Sequence, residues 1–278
     1  MTSLALTFLL GIGSLAAGLL GALTGMGGGV VIVPLLVLVF HMDIRYAVGA
    51  SLVSVIATSS GAAAAYVKEG FTNLRIGMLL EIATTLGAVS GAFVATRVSG
   101  SAIGMVFGLM LLYSGYASWR PSSIAAEQRR PNRLASALRL DGVFPDAGGE
   151  RTYHVQHVPG GFGLMYVAGV LSGLLGIGSG AMKVLAMDHV MKVPFKVSTT
   201  TSNFMIGVTA AASAGVYLNR GYIDPVLAMP IVLGVLTGSL VGARLLMRAR
   251  THVLRMLFAV VIVLLGIEMI FESLTGRL

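Results

Sequence analysis

Gly25-Met-Gly27-Gly28-Gly29 and Gly176-Ile-Gly178-Ser179-Gly180 are two glycine clusters set 151 residues apart, each inside a long apolar run. The same shift carries Tyr66 onto Tyr217, Gly70-Phe71 onto Gly221-Tyr222, Gly87 onto Gly238, Gly91-Ala92 onto Gly242-Ala243 and Arg97 onto Arg248, with no gap. Unrelated apolar segments share Leu and Val through composition, but not Gly, Tyr and Arg in one frame. The chain therefore reads as an internal duplication. In a membrane protein, two repeats meeting around a central site are a common architecture for alternating access, which points to a transporter.

Composition sets the surroundings. Of 278 residues, 56% are apolar and 11% charged, with 37 glycines and a mean hydropathy of +0.89, which a water-soluble domain could hardly bury. The runs 4–23, 47–67, 76–96, 103–119, 161–177, 197–218, 226–247 and 253–271 reach or approach the ~20 residues a helix needs to cross the hydrocarbon core. Their continuity argues against an alternating β-barrel. The first run has no basic leader and is followed by similar runs, so it reads as a mature helix, not a cleaved signal. The formal charge is +8. Its basic residues lie mostly at segment ends and in one central loop, as expected for cytoplasmic loops and lipid headgroups, so nucleic acid is not an expected partner. The expectation is a multi-pass protein of the inner or plasma membrane, with a homodimer left open. Cys is absent, which excludes thiolate metal sites, disulfides and persulfide relays. His41, His154, His157, His189 and His252 show no metal-ligand spacing. Asp188-His189 is no catalytic pair, because neighbours on a helix point about 100° apart. Neither enzymatic activity, nor a metal, nor a cofactor is expected.

The organisation follows from the duplication: a first transmembrane repeat over 1–119, a linker over 120–160 and a second repeat over 161–278. The fold expected is an all-α polytopic membrane protein of about eight spans plus short half-helices. The linker carries Arg120, Arg129, Arg130, Arg133, Arg139 and Arg151 against Glu127, Asp141, Asp146 and Glu150. Its Arg excess places it on the cytoplasmic side, as a solvated connector with a small hairpin around Asp141–Gly149. Consecutive glycines disfavour an uninterrupted helix, and the segments after them, Val30–Phe40 and Ala181–Met191, are short for a full span. Each repeat should then contain a half-helix or re-entrant hairpin. An odd number of crossings per repeat makes the halves inverted and an even number parallel; the inverted arrangement is adopted here.

Helices that begin at glycine clusters offer unpaired N–H groups and the positive end of a dipole to an anion, without a buried formal charge. Gly27, Gly28, Gly29, Gly178, Ser179 and Gly180 are candidates on that ground; the competing reading is close helix packing, which suits Gly87, Gly91, Gly238 and Gly242 better. Lys183 replaces Ile32 of the first repeat, one turn beyond the glycines. It either faces the translocation path or snorkels to the interface. Ser198-Thr-Thr-Thr-Ser-Asn203 opens a long apolar segment, and its five hydroxyls exceed what capping needs. Thr200, Thr201 and Asn203 are candidate donors to substrate oxygens, with Ser51 and, more thinly, Thr58, Ser59 and Ser60 in the first half; the alternative is interhelical packing. Arg97 and Arg248 suit headgroups, whereas Arg244 lies deeper and is a candidate for the path. Glu81 pairs with a cation, carries a proton or is solvated near its helix end.

These motifs together, Gly25-Met-Gly-Gly-Gly-Val-Val-Ile-Val-Pro34, Gly176-Ile-Gly-Ser-Gly-Ala-Met-Lys-Val184, Lys196-Val-Ser-Thr-Thr-Thr-Ser-Asn-Phe204, the polar linker and Gly242-Ala-Arg244, resemble the TauE/SafE family of sulfite and organosulfonate exporters over nearly the whole chain. Two departures stand out: Ser179 replaces a usual third glycine, and Leu185 takes the place of Pro34. The resemblance implies an inner-membrane carrier for sulfite, sulfoacetate or a related sulfur-containing anion, with the glycine turns and the Thr-rich segment lining its path. Exit of an anion from a cell that is negative inside is favoured by about 2.3 kcal/mol per charge per 100 mV.

Overall fold

A computed structural model describes residues 3–24, 29–68, 72–119, 132–146, 149–246 and 251–276. The fold is helical with one small hairpin. In the first half run α1 (Ser3–Thr24), a short α2 (Gly29–Pro34) that widens into a π-helical turn over Leu35–Val39, α3 (Ile44–Lys68), α4 (Leu74–Ala95) and α5 (Gly100–Trp119). A connector follows, made of the one-turn α6 (Arg133–Ala137) and the antiparallel strands β1 (Gly142–Asp146) and β2 (Gly149–Tyr153), paired Val143 to Thr152 and Phe144 to Arg151. The second half contains α7 (Val158–Leu175), a short α8 (Gly180–Leu185) with its own π-helical turn over Ala186–Val190, α9 (Phe195–Asn219), α10 (Pro225–Leu246) and α11 (Thr251–Leu274). The short helix, the π-helical turn and the three long helices of the first half each begin 151 residues before their counterparts in the second.

Contacts follow the same shift. α1 packs on α10 and α7 on α4; α3 meets α9, and α5 meets α11. Glycines let these backbones touch: a Cβ on Gly173 of α7 would lie 2.0 Å from Ala88 O of α4, and one on Gly238 of α10 would lie 2.1 Å from Leu15 O of α1. No side chain fits at such a distance, so van der Waals contact between main chains holds these pairs. Outward faces are apolar, with Met78 and Leu86 on α4, Met229 and Leu240 on α10 and Leu264 on α11 exposed. Among the described residues, Leu74–Ala95 and Val158–Leu175 are long and apolar enough to cross a membrane.

Polar contacts at the two ends give the helix directions. At one end Asn73 caps α4, its side chain accepting from Ile76 N–H at 3.1 Å. Its Nδ2 donates to Tyr153 Oη (2.7 Å) and Leu140 O (3.0 Å), and its N–H donates to Thr201 Oγ1 (3.0 Å). The start of α4, the start of α9 and the connector thus lie together. At the other end Arg45, in the first turn of α3, donates to Ala95 O and Val98 O beyond α4 and lies 5.9 Å from the ring centre of Tyr222, just beyond α9. α3 therefore runs antiparallel to both α4 and α9. The segment α7–α8 is re-entrant: Gln156 N–H, before α7, donates to Met191 O, after the π-helical turn, at 2.9 Å. Its tip reverses through Gly176 (φ +69°) and Gly178 (φ +71°), left-handed conformations that glycine adopts without strain.

Two expectations follow. Gly173→Ala should lower the melting temperature in detergent, with an overpacking cost of about 1–3 kcal/mol or more. Gly163→Ala on the same helix meets nothing within 4 Å and should be neutral or stabilising. At the connector, burial pushes the Tyr153 phenol up to about 12, against the opposing bond from Asn73. An unfolded phenol ionises near about 10, so between these values the unfolded state has lost a proton that the folded state keeps, and stability falls as pH rises. Tyr153→Phe should lose about 1 kcal/mol at neutral pH and lack that component of the alkaline decline in thermal melts.

Candidate substrate-binding centre

The two short helices begin close together. A Cβ on Gly29, the first residue of α2, would lie 3.1 Å from Gly176 O and 2.7 Å from Ser51 Oγ of α3. Ser51 Oγ itself donates to Gly176 O at 2.8 Å, tying α3 to the opposite tip. On α9 the equivalent residue, Ser202, donates to Gly180 O at 3.2 Å. Val55 of α3 and Ile206 of α9 press on Gly178, and Val55 also reaches Gly29, so one apolar side chain lies between the two tips. Gly178, Ser179 and Gly180 are all buried. Ser179 holds a left-handed conformation (φ +46°), and its buried hydroxyl has no hydrogen-bond partner among the described residues. Gly27 and Gly28 lie outside the described residues, as do Gly70, Phe71 and Arg248.

Side chains on a helix lean toward its N-terminus, which aims Lys183 back along α8 into the space between α9 and α4. Lys183 is 0% exposed, and its Nζ donates to Thr209 Oγ1 of α9. Thr209 Oγ1 in turn lies 2.7 Å from Glu81 Oε1 of α4, as its donor. Thr85 Oγ1 donates to the same oxygen at 3.3 Å, while Glu81 Oε2 is buried with no partner among the described residues. The ammonium and the carboxylate act on each other across the threonine hydroxyl. Glu81 is thus neither solvated nor at a free helix end; it is bridged to Lys183 by the Thr209 hydroxyl.

The remaining candidates are spread along α9 and α10. Thr200 Oγ1 donates to Lys196 O and Val197 O within its own helix, so its proton is engaged. Ser198 and Thr199 are held in the same way, by Val193 O and Phe195 O. Thr201 accepts from Asn73 N–H at the connector end, away from the Lys183 cluster. Asn203 is half-buried on α9, and Arg244 belongs to α10, its side chain outside the described residues. Arg97 is exposed and stacks on Phe93, 3.9 Å from the ring centre. Sequence reasoning missed Thr209 and the pairing of Glu81 with Lys183. The 151-residue shift did hold a signal: Lys183 falls on Ile32, Glu81 on Val232 and Thr209 on Thr58, so two charges of opposite sign enter otherwise apolar positions. Among the described residues no group of three His, Cys, Asp or Glu is placed to hold a metal ion.

The family model "Sulfite exporter TauE/SafE" matches residues 9–269. The chain is 28% identical over 267 residues to "Probable membrane transporter protein YunE" of Bacillus subtilis, covering 94% of this chain and 96% of that one. It is 26% identical to a "Probable membrane transporter protein" of Xylella fastidiosa (98% of each) and 24% identical to "Probable membrane transporter protein MJ0441" of Methanocaldococcus jannaschii (91% of each). No solved structure matches the chain.

Breaking a buried ion pair from one side leaves an unpaired charge, at about 3–5 kcal/mol, whereas replacing both partners by apolar groups is often neutral. Lys183→Met and Glu81→Met should each lower thermal stability in detergent, and the double variant should recover most of the loss. Additive losses in the double variant would refute the coupling.

Proposed function

The chain belongs to the sulfite exporter TauE/SafE family, a family of membrane transporters rather than enzymes, and on that premise we propose that it exports a small sulfur-containing anion by alternating access. Sulfite, sulfoacetate or a related organosulfonate is the substrate class. The observation that carries the reading is Lys183: a fully buried cation, one turn inside a short helix that starts beside its twin. Buried ionisable groups in membrane helices mark substrate or ion paths.

In this mechanism the anion enters between α3 and α9 and displaces Val55 and Ile206 from the tips. Main-chain N–H groups of Gly27–Gly29 and Gly178–Gly180 surround its oxygens, and Lys183 supplies the charge. Among the hydroxyls, those with a proton to donate matter most. Ser179 has no partner among the described residues and serves at the tips, Thr201, an acceptor toward Asn73, would meet the anion only at the connector end of its path, and Thr200 is committed to its own helix. Ser51, Asn203 and Arg244 complete the proposed lining.

The antiparallel course of α3 and α9 supports an inverted relation between 1–119 and 161–278, each with three crossings and one re-entrant segment. On this reading six of the eight helices of 18–25 residues, α3, α4, α5, α9, α10 and α11, cross the inner membrane, α1 and α7 belong to the re-entrant segments, and the connector over 120–160 lies on the cytoplasmic face. Rocking of one repeat against the other then exposes a fixed site to either side.

Proteoliposomes loaded with sulfite or sulfoacetate test the proposal. Wild-type protein should release both, and the folded double variant Lys183→Met, Glu81→Met should bind the anion roughly 10–100-fold more weakly, the loss of a charge-assisted hydrogen bond worth about 1.5–3 kcal/mol. Unchanged flux in that variant removes Lys183 from the site. No wild-type flux with any sulfur oxyanion or sulfonate turns the assignment toward another solute or a non-transporting scaffold.

A further inference from the structure

We propose that Glu81 is the binding site of a co-transported proton, taken up as the anion docks on Lys183 and released together with it. The inference rests on the anion-carrier reading above and adds its coupling ion.

Charge balance leads to it. With Glu81 ionised, Lys183 is already neutralised through Thr209, and an incoming anion would leave the enclosed centre with net negative charge. Attraction between charges is strong where water is excluded, and so is the penalty for an uncompensated one. For an anion of single charge, a proton on Glu81 restores the balance: Lys183 then pairs with the anion, and the carboxyl is neutral.

The hydrogen bonds already provide for both states. Thr209 has one hydroxyl proton and three acceptors within reach, Glu81 Oε1 at 2.7 Å, Met205 O at 2.9 Å and, more distantly, Thr84 Oγ1 at 3.5 Å. With Glu81 ionised the proton points to the carboxylate; with Glu81 protonated it turns to Met205 O. Glu81 Oε2, buried and without a partner among the described residues, is the oxygen open to the incoming proton. There an O–H bond forms with a proton from water on the side to which the site is open, and the same bond breaks to water on the other side. Nothing is oxidised or reduced. The charged group facing Glu81 from neighbouring helices is Lys183 of α8; α9 faces it with Thr209, its own helix adds Thr84 and Thr85, and α7 packs on α4 through the main chain around Gly169.

Packing alone does not require this cluster. Its counterpart in the other half is Ile32, Thr58 and Val232, and Thr58 bonds only to carbonyls of its own helix among the contacts described, Ser54 O and Val55 O. The same position in the fold is therefore filled by an apolar pair.

The test uses labelled methanesulfonate, a monoanion whose charge is constant near neutral pH, with proteoliposomes clamped at zero membrane potential. An acid-outside gradient should drive wild-type accumulation by a factor of about ten per pH unit for one proton per anion. Glu81→Gln, held neutral, should exchange methanesulfonate at a rate independent of pH and fail to accumulate it. In weakly buffered detergent solution the wild-type protein should take up one proton as methanesulfonate binds, a measurement that needs no variant. Gradient-driven accumulation by Glu81→Gln, or methanesulfonate binding by the wild type without proton uptake, overturns the proposal. Wild-type flux that follows an imposed potential but ignores the pH gradient also overturns it, while leaving the carrier intact. Absence of wild-type flux for sulfite, sulfoacetate and methanesulfonate overturns the carrier reading and this inference with it.

Discussion

An ammonium group shut away from water is the constraint around which this molecule is organised. Several kcal/mol oppose the burial of Lys183, and only a hydroxyl and a carboxylate in the right place offset them. Thr209 and Glu81 come from α9 and α4, and Lys183 comes from α8, so three elements must converge at one point. That convergence requires α7–α8 to fold back on itself, which the positive φ angles of Gly176 and Gly178 allow. It also requires α7 to lie directly on α4, which the bare backbone at Gly169 and Gly173 allows. Glycine's effect on the chemistry is thus indirect: it brings the helices close enough for one short hydrogen-bonded chain to span three of them.

The molecule is symmetric in shape and asymmetric in charge. α2 and α8 begin beside serines at equivalent places, Ser51 and Ser202, and each continues into a π-helical turn. Yet the polar cluster exists on one side only, where Lys183 and Glu81 stand in place of Ile32 and Val232. A duplicated scaffold needs both halves to fold and to rock, while a single charge-compensated centre suffices to select a ligand. Chemistry in one half and packing in the other is the economical division for such a fold.

How much of this was legible beforehand differs by feature. The break of helix at Gly176–Gly178 was readable, because closely spaced glycines act locally. The connector hairpin was readable from turn residues flanked by short alternating patterns. The Thr-rich stretch was read as a set of donors, but in a helix Ser and Thr hydroxyls turn back to carbonyls three or four residues earlier, as Thr199 and Thr200 do. Glu81 and Lys183 were each visible as charges within apolar segments, with solvation and snorkelling open as alternatives. Their partnership was not, since it depends on where α4 passes α8 and on a threonine that composition does not distinguish from any other.

The proton also changes what drives transport. A monoanion crossing alone moves charge, and a membrane negative inside favours its exit by about 2.3 kcal/mol per 100 mV. The same anion crossing with a proton moves none, and the potential no longer acts on the loaded carrier. Lys183 and Glu81 are compensated in the empty protein through Thr209 and would be compensated again in the loaded one, so neither form carries net charge at its centre across the bilayer. Direction then follows the anion gradient and the pH difference. A cell producing the anion loses it down its own gradient, without drawing on the membrane potential, and a more alkaline exterior steepens the exit. A buried cation with a titratable partner is therefore a device for making an anion electrically invisible while it crosses.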